Sequence, residues 1–404
     1  MNRRNFLLNA CMWVLAFIFG YKIRILETEK ANLLFNRDGN EKNIFQNEEI
    51  LNRFISPLDF GAKGDNVSDD TRAFQMALNS LNEGDTFLIP SGTYLVKNLI
   101  IPDKNHVTLL FYGTIKAIRG GDKDYLISTY KYVNDIPEAG QPLKIINPRI
   151  DGNNIVTNGL VIQTWDTIIE APEIFNCANG LKITAETKSG IDFRTSTLVN
   201  VTVNNPKIRD NSSKGIWIRD PKRNKVTDYY ITNGFLYGNK EYGIFADSCA
   251  GALIQGVHTY SNDTGVGISI GSLAFRLHDC YIEDHNSVKF NDISENILVS
   301  IKGNIIKGDI NVYSSRKNCG IKGVGNTFLT SKGKYTQIWG GSIIYSNNDS
   351  FEVSNPYRVV GSNRTLNNSA PNKVYAQNCT STVIGTNKII QGLQQNNTLN
   401  TVDY

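Results

Sequence analysis

From Asn147 onward the chain repeats a short unit in which glycine is followed by an apolar residue, a variable residue and a second apolar residue. It occurs as GLVI at Gly159, GLKI at Gly180, GIWI at Gly215, GIFA at Gly243 and GISI at Gly267. Between the later units lie apolar stretches with their own turns, among them DYYITNGFLYGN, ALIQGVHTYSND and FRLHDCYIEDH. A period of two predicts strands. Strands this short cannot bury an apolar face alone, but units of ~20–30 residues stacked on one another form a continuous core. Two-residue Asn-Gly hairpin loops do not dominate, which argues against a sandwich. Asn233-Gly234 and its like fall instead at equivalent corners of successive units. The pattern predicts one solenoid over 55–390, followed by a polar Asn/Gln/Thr-rich tail over 391–404.

Upstream of the repeat, ISPLDFGAKGDNVSDDTRAFQMAL is turn-rich and then amphipathic. Phe74, Ala77, Leu78 and Leu81 fall on one helical face. Ser68, Asp69 and Asp70 precede them, where N-cap and first-turn anions complement the helix dipole. TFLIP, a Ser-Gly turn, TYLV and HVTLLFYGTIKAI then read as strands. The segment DFGAKGDNVSDDTRAFQMAL…GDTFLIPSGTYLV, Asp59 to about Val96, closely resembles the opening of the pectate-lyase superfamily domain. That domain begins many right-handed parallel β-helix proteins, including rhamnogalacturonase- and epimerase-like enzymes, polygalacturonases and capsule-degrading phage tailspikes. The resemblance implies an all-β, single-stranded right-handed parallel β-helix with a short N-terminal capping helix. It also makes Asp65, Asp69 and Asp70 structural rather than catalytic.

The 404 residues are 40% apolar, with 34 glycines, 11 prolines and 3 methionines, which suits many short strands. A formal charge of +4 permits an acidic polysaccharide as partner without demanding one, and no basic run suited to nucleic acid is present. Six widely spaced cysteines include no C-x-x-C pair and read as small buried side chains. Arg3 and Arg4 precede an uncharged stretch, and RRNFL is similar to a twin-arginine export signal. Residues 1–24 are therefore signal-like or anchor-like. Four forms stay open for them: a cleaved signal, an anchor associated with a membrane through residues 6–21, an interfacial helix, and a stalk helix that packs against copies of itself in a homotrimer. Residues 25–54 read as a polar linker or stalk.

Polygalacturonases offer a residue-by-residue test of the repeat. Their first acid position holds Lys214, their paired acids become Glu241 and Tyr242, their histidine position falls on Val266, and their arginine position on Ser300, with Lys302 retained. Inverting hydrolysis needs a proton donor and a water-activating base on opposite faces of the sugar, so Glu241 alone cannot supply polygalacturonase chemistry. Alternation turns Trp217 and Arg219 outward in GIWIRD, Phe245 and Asp247 outward in GIFADS, and Ser269 and Gly271 outward in the next unit. Trp217 and Phe245 should form an aromatic column, with Arg219 and Asp247 a charged one beside it, a surface suited to sugar rings. The alternative is that RDPKRNKVTDYY covers the rings.

Glu241, Asp247 and Asp263 are the catalytic candidates; Trp217, Arg219, Lys214, Tyr242, Phe245 and Lys302 are the binding candidates. Asp220, Asp279, Glu283, Asp284, His258, Tyr260 and His285 lie nearby and read as turn acids or corner hydrogen-bonders. The expected function is recognition and cleavage of a bacterial surface or extracellular polysaccharide. The protein would be a glycosidase or polysaccharide lyase, exported or carried on a phage tail, with calcium as cofactor only for a lyase. The alternative is a non-catalytic glycan-binding spike.

Overall fold

The structure, a computed structural model, describes residues 53–222, 224–247, 250–268, 274–290 and 298–307, and beyond these the backbone of strands between 309 and 402. The apolar segment 1–24, residues 25–52 of the polar stretch, and Ser269 and Gly271 lie outside the described residues. No described helix is long and apolar enough to cross a membrane, a statement that leaves strand-built spans aside.

Each coil of the chain visits three faces in a fixed order. One coil places Lys214–Arg219 on the first face, Val226–Thr232 on the second and Phe235–Tyr237 on the third. The next repeats this with Tyr242–Ala246, Ala252–Gln255 and His258–Tyr260. Every strand pairs in parallel with its counterpart one coil away. The third face is a 12-stranded sheet. The other two join in a 22-stranded sheet because Asp309–Val324 and Gln337–Asn347 each run through the corner between them. The result is a right-handed parallel β-helix, the hand that crossovers between parallel strands take. In the region expected to form a polar tail, Thr398–Val402 pairs in parallel with Thr380–Ile384.

Alternation builds the core. On the first face Leu160, Leu181, Ile216, Ile244, Val266 and Val288 stack in register, each at most 1% exposed. Each such side chain contributes ~1.5–3 kcal/mol by leaving water, and cutting one to alanine would cost ~2–5 kcal/mol. This column corrects the placing of the polygalacturonase histidine position at Val266: that side chain points inward and could never meet a substrate. It also corrects the repeat itself. Thr264–Ile268 pairs so that Gly265, not Gly267, stands level with Gly243, and Gly267, not Ser269, is the outward partner of Phe245.

Two corner devices recur. Between the second and third faces the chain turns on a left-handed residue at Asn147, Ala171, Asn205, Gly256, Asp279 and Gly303, and on the left-handed pair Asn233–Gly234. Asparagine, aspartate and glycine suit this position because they tolerate positive φ best. Between the third and first faces runs a buried ladder in which Asn211 Nδ2 donates to Asn239 Oδ1 (2.8 Å), Asn239 Nδ2 to Asn262 Oδ1 (2.9 Å) and Asn262 Nδ2 to Asp284 Oδ1 (3.0 Å). Buried backbone polar groups at these corners are thereby satisfied. Cys177 and Cys280 are buried, and burial pushes the Cys280 thiol up to about 12.

The helix Thr71–Asn79 closes the N-terminal end, with Phe74 edge-on to Phe87 and Tyr94. Gln75 accepts from Ile100 N (2.9 Å) and donates to Ile100 O (3.0 Å), which satisfies an edge strand that would otherwise invite pairing. Asp70 occupies the N-cap position, but its side chain makes no cap. Its carboxylate instead accepts from Lys63 N and Gly64 N and holds the preceding loop closed.

Candidate functional site

The outward positions of the first face form a strip across successive coils. Lys182, Trp217, Phe245 and Gly267 are consecutive register partners, each set between two inward apolar residues. Gly267 has a packing role. A Cβ there would come within 2.4 Å of the Tyr242 ring and 3.0 Å of the Phe245 ring, so the missing side chain makes room for Tyr242. Tyr242 and Phe245 then pack with centroids 4.6 Å apart. Burial first, then the charges of Glu241 and Asp263, raise the Tyr242 phenol above its ordinary value.

Cations surround the Trp217 ring: Lys182 Nζ at 5.1 Å, Lys214 Nζ at 5.3 Å and Arg219 Cζ at 5.8 Å from its centroid. Each is within cation–π reach. Lys182 also lies 5.1 Å from the Tyr132 ring, which the short helix Tyr130–Val133 brings in from outside the repeat. The Tyr132 hydroxyl donates to Asp124 Oδ2 (2.8 Å). Burial and then the Asp124 charge push that phenol far above its usual range.

Three carboxylates balance the three cations. Lys214 Nζ lies 2.7 Å from Glu241 Oε2, and Ser213 Oγ donates to the same oxygen at 2.7 Å. These two bonds hold the Glu241 carboxyl below its ordinary value. Glu186 Oε1 receives Lys182 Nζ (3.3 Å) and Arg219 Nε (3.0 Å). Arg219 Nη1 donates to Asp247 Oδ2 (2.8 Å), which also accepts from Trp217 Nε1 (3.3 Å). Burial alone would lower the Arg219 pKa, but the bonds to Asp247 and Glu186 outweigh it and raise the value. One guanidinium therefore bridges two carboxylates, one from the coil on each side of its own.

The structure brings together Trp217, Arg219, Lys214, Tyr242, Phe245, Glu241 and Asp247. Asp263 is exposed on the same turn column one coil further, where Thr264 N donates to Glu241 O and Asn286 N to Asp263 O. Lys302 stands apart: it pairs with His278 on the second face, away from the strip. Asp220 is buried and accepts from Lys225 N and Val226 N, closing its own loop. His258 and Glu283 meet on the third face at 3.0 Å. Lys182, Glu186 and Tyr132 escaped sequence reasoning. Lys182 carried a usable signal, since it fills the variable position of GLKI that Trp217 fills in GIWI. Glu186 and Tyr132 sit in insertions with no spacing to betray them. Among the described residues no three His, Cys, Asp or Glu side chains form a group that could hold a metal ion. The carboxylates of the strip already face cations, a donor set that does not fit the calcium expected of a lyase.

The fold and this strip define a parallel β-helix with a lateral, aromatic and ion-paired face. Residues 54–324 match the family described as rhamnogalacturonase A/epimerase, pectate lyase-like, and the chain belongs to that family. Alginate lyase 7 of Azotobacter vinelandii is 28% identical over 216 residues, 50% of this chain and 22% of that protein. A capsule K30/K69-specific depolymerase of Klebsiella phage K5-2 is 46% identical over 52 residues, 13% of this chain and 7% of the phage protein. The chain thus spans less than a quarter of the length of these relatives. The N-terminal fragment of bacteriophage Phi29 gene product 12 superposes with a TM-score of 0.56 at 16% identity, covering 86% of this chain and 70% of that one. At that identity it shares the fold.

Proposed function

We propose that this protein recognises a polysaccharide along the strip from Lys182 to Tyr242 and cleaves it there, acting outside the cell or on a virion. The observation that carries the reading is the Arg219 bridge between Glu186 and Asp247 beside a half-buried Trp217. Coils repeat at ~4.8 Å, so rings on neighbouring coils suit successive sugars, whose apolar faces stack on aromatic rings. Hydrolysis needs one carboxyl to protonate the leaving oxygen and another to activate water. Glu186 and Asp247 would divide those roles once sugar hydroxyls compete for Arg219. The activities named for the alginate lyase and the capsule depolymerase support a glycan as substrate.

A second reading, a non-catalytic glycan-binding spike, draws support from the pairing itself. Every carboxylate of the strip meets a cation, and a binding surface needs no protonated acid. The test is release of reducing ends or unsaturated products from a panel of capsular and extracellular glycans, by wild type and by Glu186→Gln and Asp247→Asn. Cleavage by wild type that drops at least ~100-fold in both variants supports the enzyme. Binding without product by wild type supports the spike, and undiminished cleavage by both variants removes the carboxylate pair from the chemistry.

A further inference from the structure

Two loops that leave the first face on successive coils, 187–194 and the described residues 220–222 and 224–225, flank an open cleft of about 640 Å³. It shares backbone with the strip: Ala185 N donates to Arg219 O (3.0 Å), and Phe193 N to Ala185 O (3.0 Å). The backbones of Glu186 and Asp192 form an antiparallel β-bridge across the first loop. The cleft and the strip differ in charge balance. Within the strip three cations meet three carboxylates. In the cleft Arg194, Lys222 and Lys225 face one carboxylate, Asp192, and that is taken by Lys222 at 3.0 Å. Lys225 Nζ donates to the Arg194 carbonyl (3.1 Å), a bond that orients the ammonium without neutralising it. The Arg194 side chain is exposed, and among the described residues it meets no carboxylate. Ile191, 41% exposed, supplies an apolar wall.

We infer that this cleft receives an anionic substituent, a carboxylate or sulfate, of a sugar whose neighbours lie on the Trp217 strip. The inference rests on the glycan reading of the strip. Arg194 and Lys225 present unneutralised donors beside an apolar wall, the combination that holds a charged group on a sugar ring. Charge-assisted hydrogen bonds to such a group are roughly twice as strong as neutral ones, so the cleft would set the preference for an acidic over a neutral unit. The adjoining strip, with no net charge, would accept either.

Titration of the full chain with glucuronate, glucose 6-sulfate and glucose by calorimetry or ligand-observed NMR tests this. One or both anions should bind about tenfold more tightly than glucose, a preference that weakens as salt screens it. The double variant Arg194→Ala/Lys225→Ala should erase the preference, while Trp217→Ala should weaken glucose, which the strip alone holds, and leave anion binding in the cleft in place. The stronger anion identifies the substituent. Wild type that binds the three sugars equally, or binds none, overturns the inference, as does an anion preference that survives the double variant. Should Trp217→Ala leave every sugar untouched while the double variant loses the anion, the strip reading fails and the cleft stands.

Discussion

The first and third faces both carry outward aromatic rows, and they use their rings in different proportions, ring on ring prevailing on the third and cation on ring on the first. On the third face rings meet rings: Tyr237 and Tyr260 stack with centroids 4.7 Å apart and planes 4° from parallel. His258 stacks on Tyr281 at 4.6 Å, and Arg209 lies 4.3 Å over Phe175. Stacking along the coil axis consumes ring faces and turns edges outward. On the first face Trp217 is ringed by cations, and those cations are held by Glu186, Asp247 and Glu241. Ladders of like rings stabilise the solenoid. A ring set among exchangeable ion pairs offers a ligand both an apolar surface and hydrogen-bonding groups.

Removing the bridge is the most severe way to break this contrast. Arg219→Met leaves Glu186 and Asp247, whose side chains are 11% and 17% exposed, without their shared cation. Glu186 keeps Lys182 while Asp247 keeps only the Trp217 N–H, so the expected loss is ~2 kcal/mol, below that for a fully uncompensated enclosed charge, visible in the denaturant midpoint, together with loss of glycan binding. Next comes the direct exchange between faces. Trp217→Ala should reduce glycan affinity tenfold or more, about 1.4 kcal/mol. Tyr237→Ala should leave affinity unchanged and cost about 1 kcal/mol of stability. If Tyr237→Ala lowers affinity as much as Trp217→Ala does, the distinction between the faces is wrong.

A third prediction concerns the ladder between those faces. Asp284 ends a run of asparagines, and burial raises its carboxyl above the ordinary 3.8. The unfolded chain ionises it more readily, so its charge weighs against folding at neutral pH. Wild type recovers that loss as pH falls through the folded value toward 3.8. Asn262 Nδ2 donates to Leu236 O, whose register partner is Thr259, so an asparagine at 284 would find the Thr259 carbonyl. Asp284→Asn should therefore gain about 1 kcal/mol at pH 7 and nothing at acid pH, read from melting curves across pH. The smallest effect is expected from Gly267→Ala. The added methyl meets the Tyr242 ring, and moving that ring should cost under ~1 kcal/mol while weakening glycan affinity a fewfold.

Much of this was legible in the chain. The variable position of GIWI and GIFA placed Trp217 and Phe245 outward, and both occupy one column. Arg219 and Asp247 form the charged file beside them, because alternation is a property of two consecutive backbone bonds. The misplacement of GISI has an equally physical origin. TGVGI contains two glycines two residues apart, and either satisfies the pattern; only pairing with Tyr242–Ala246 selects Gly265. Lys302 looked like a binding residue by likeness of motif, but its strand lies on the second face.

Residues 53–307 thus show a division between what is local and what is not. The sequence by itself determined the strand period, the left-handed corners at Asn147, Asn205 and Asn233, and which side chains turn outward, because each depends on neighbouring residues alone. Tertiary structure decided which coils stand level, that Tyr242 fills the space above Gly267, and that one guanidinium joins acids from two loops. Those outcomes depend on contacts between residues 25 to 33 apart in the chain, set by how far each inserted loop carries the next coil.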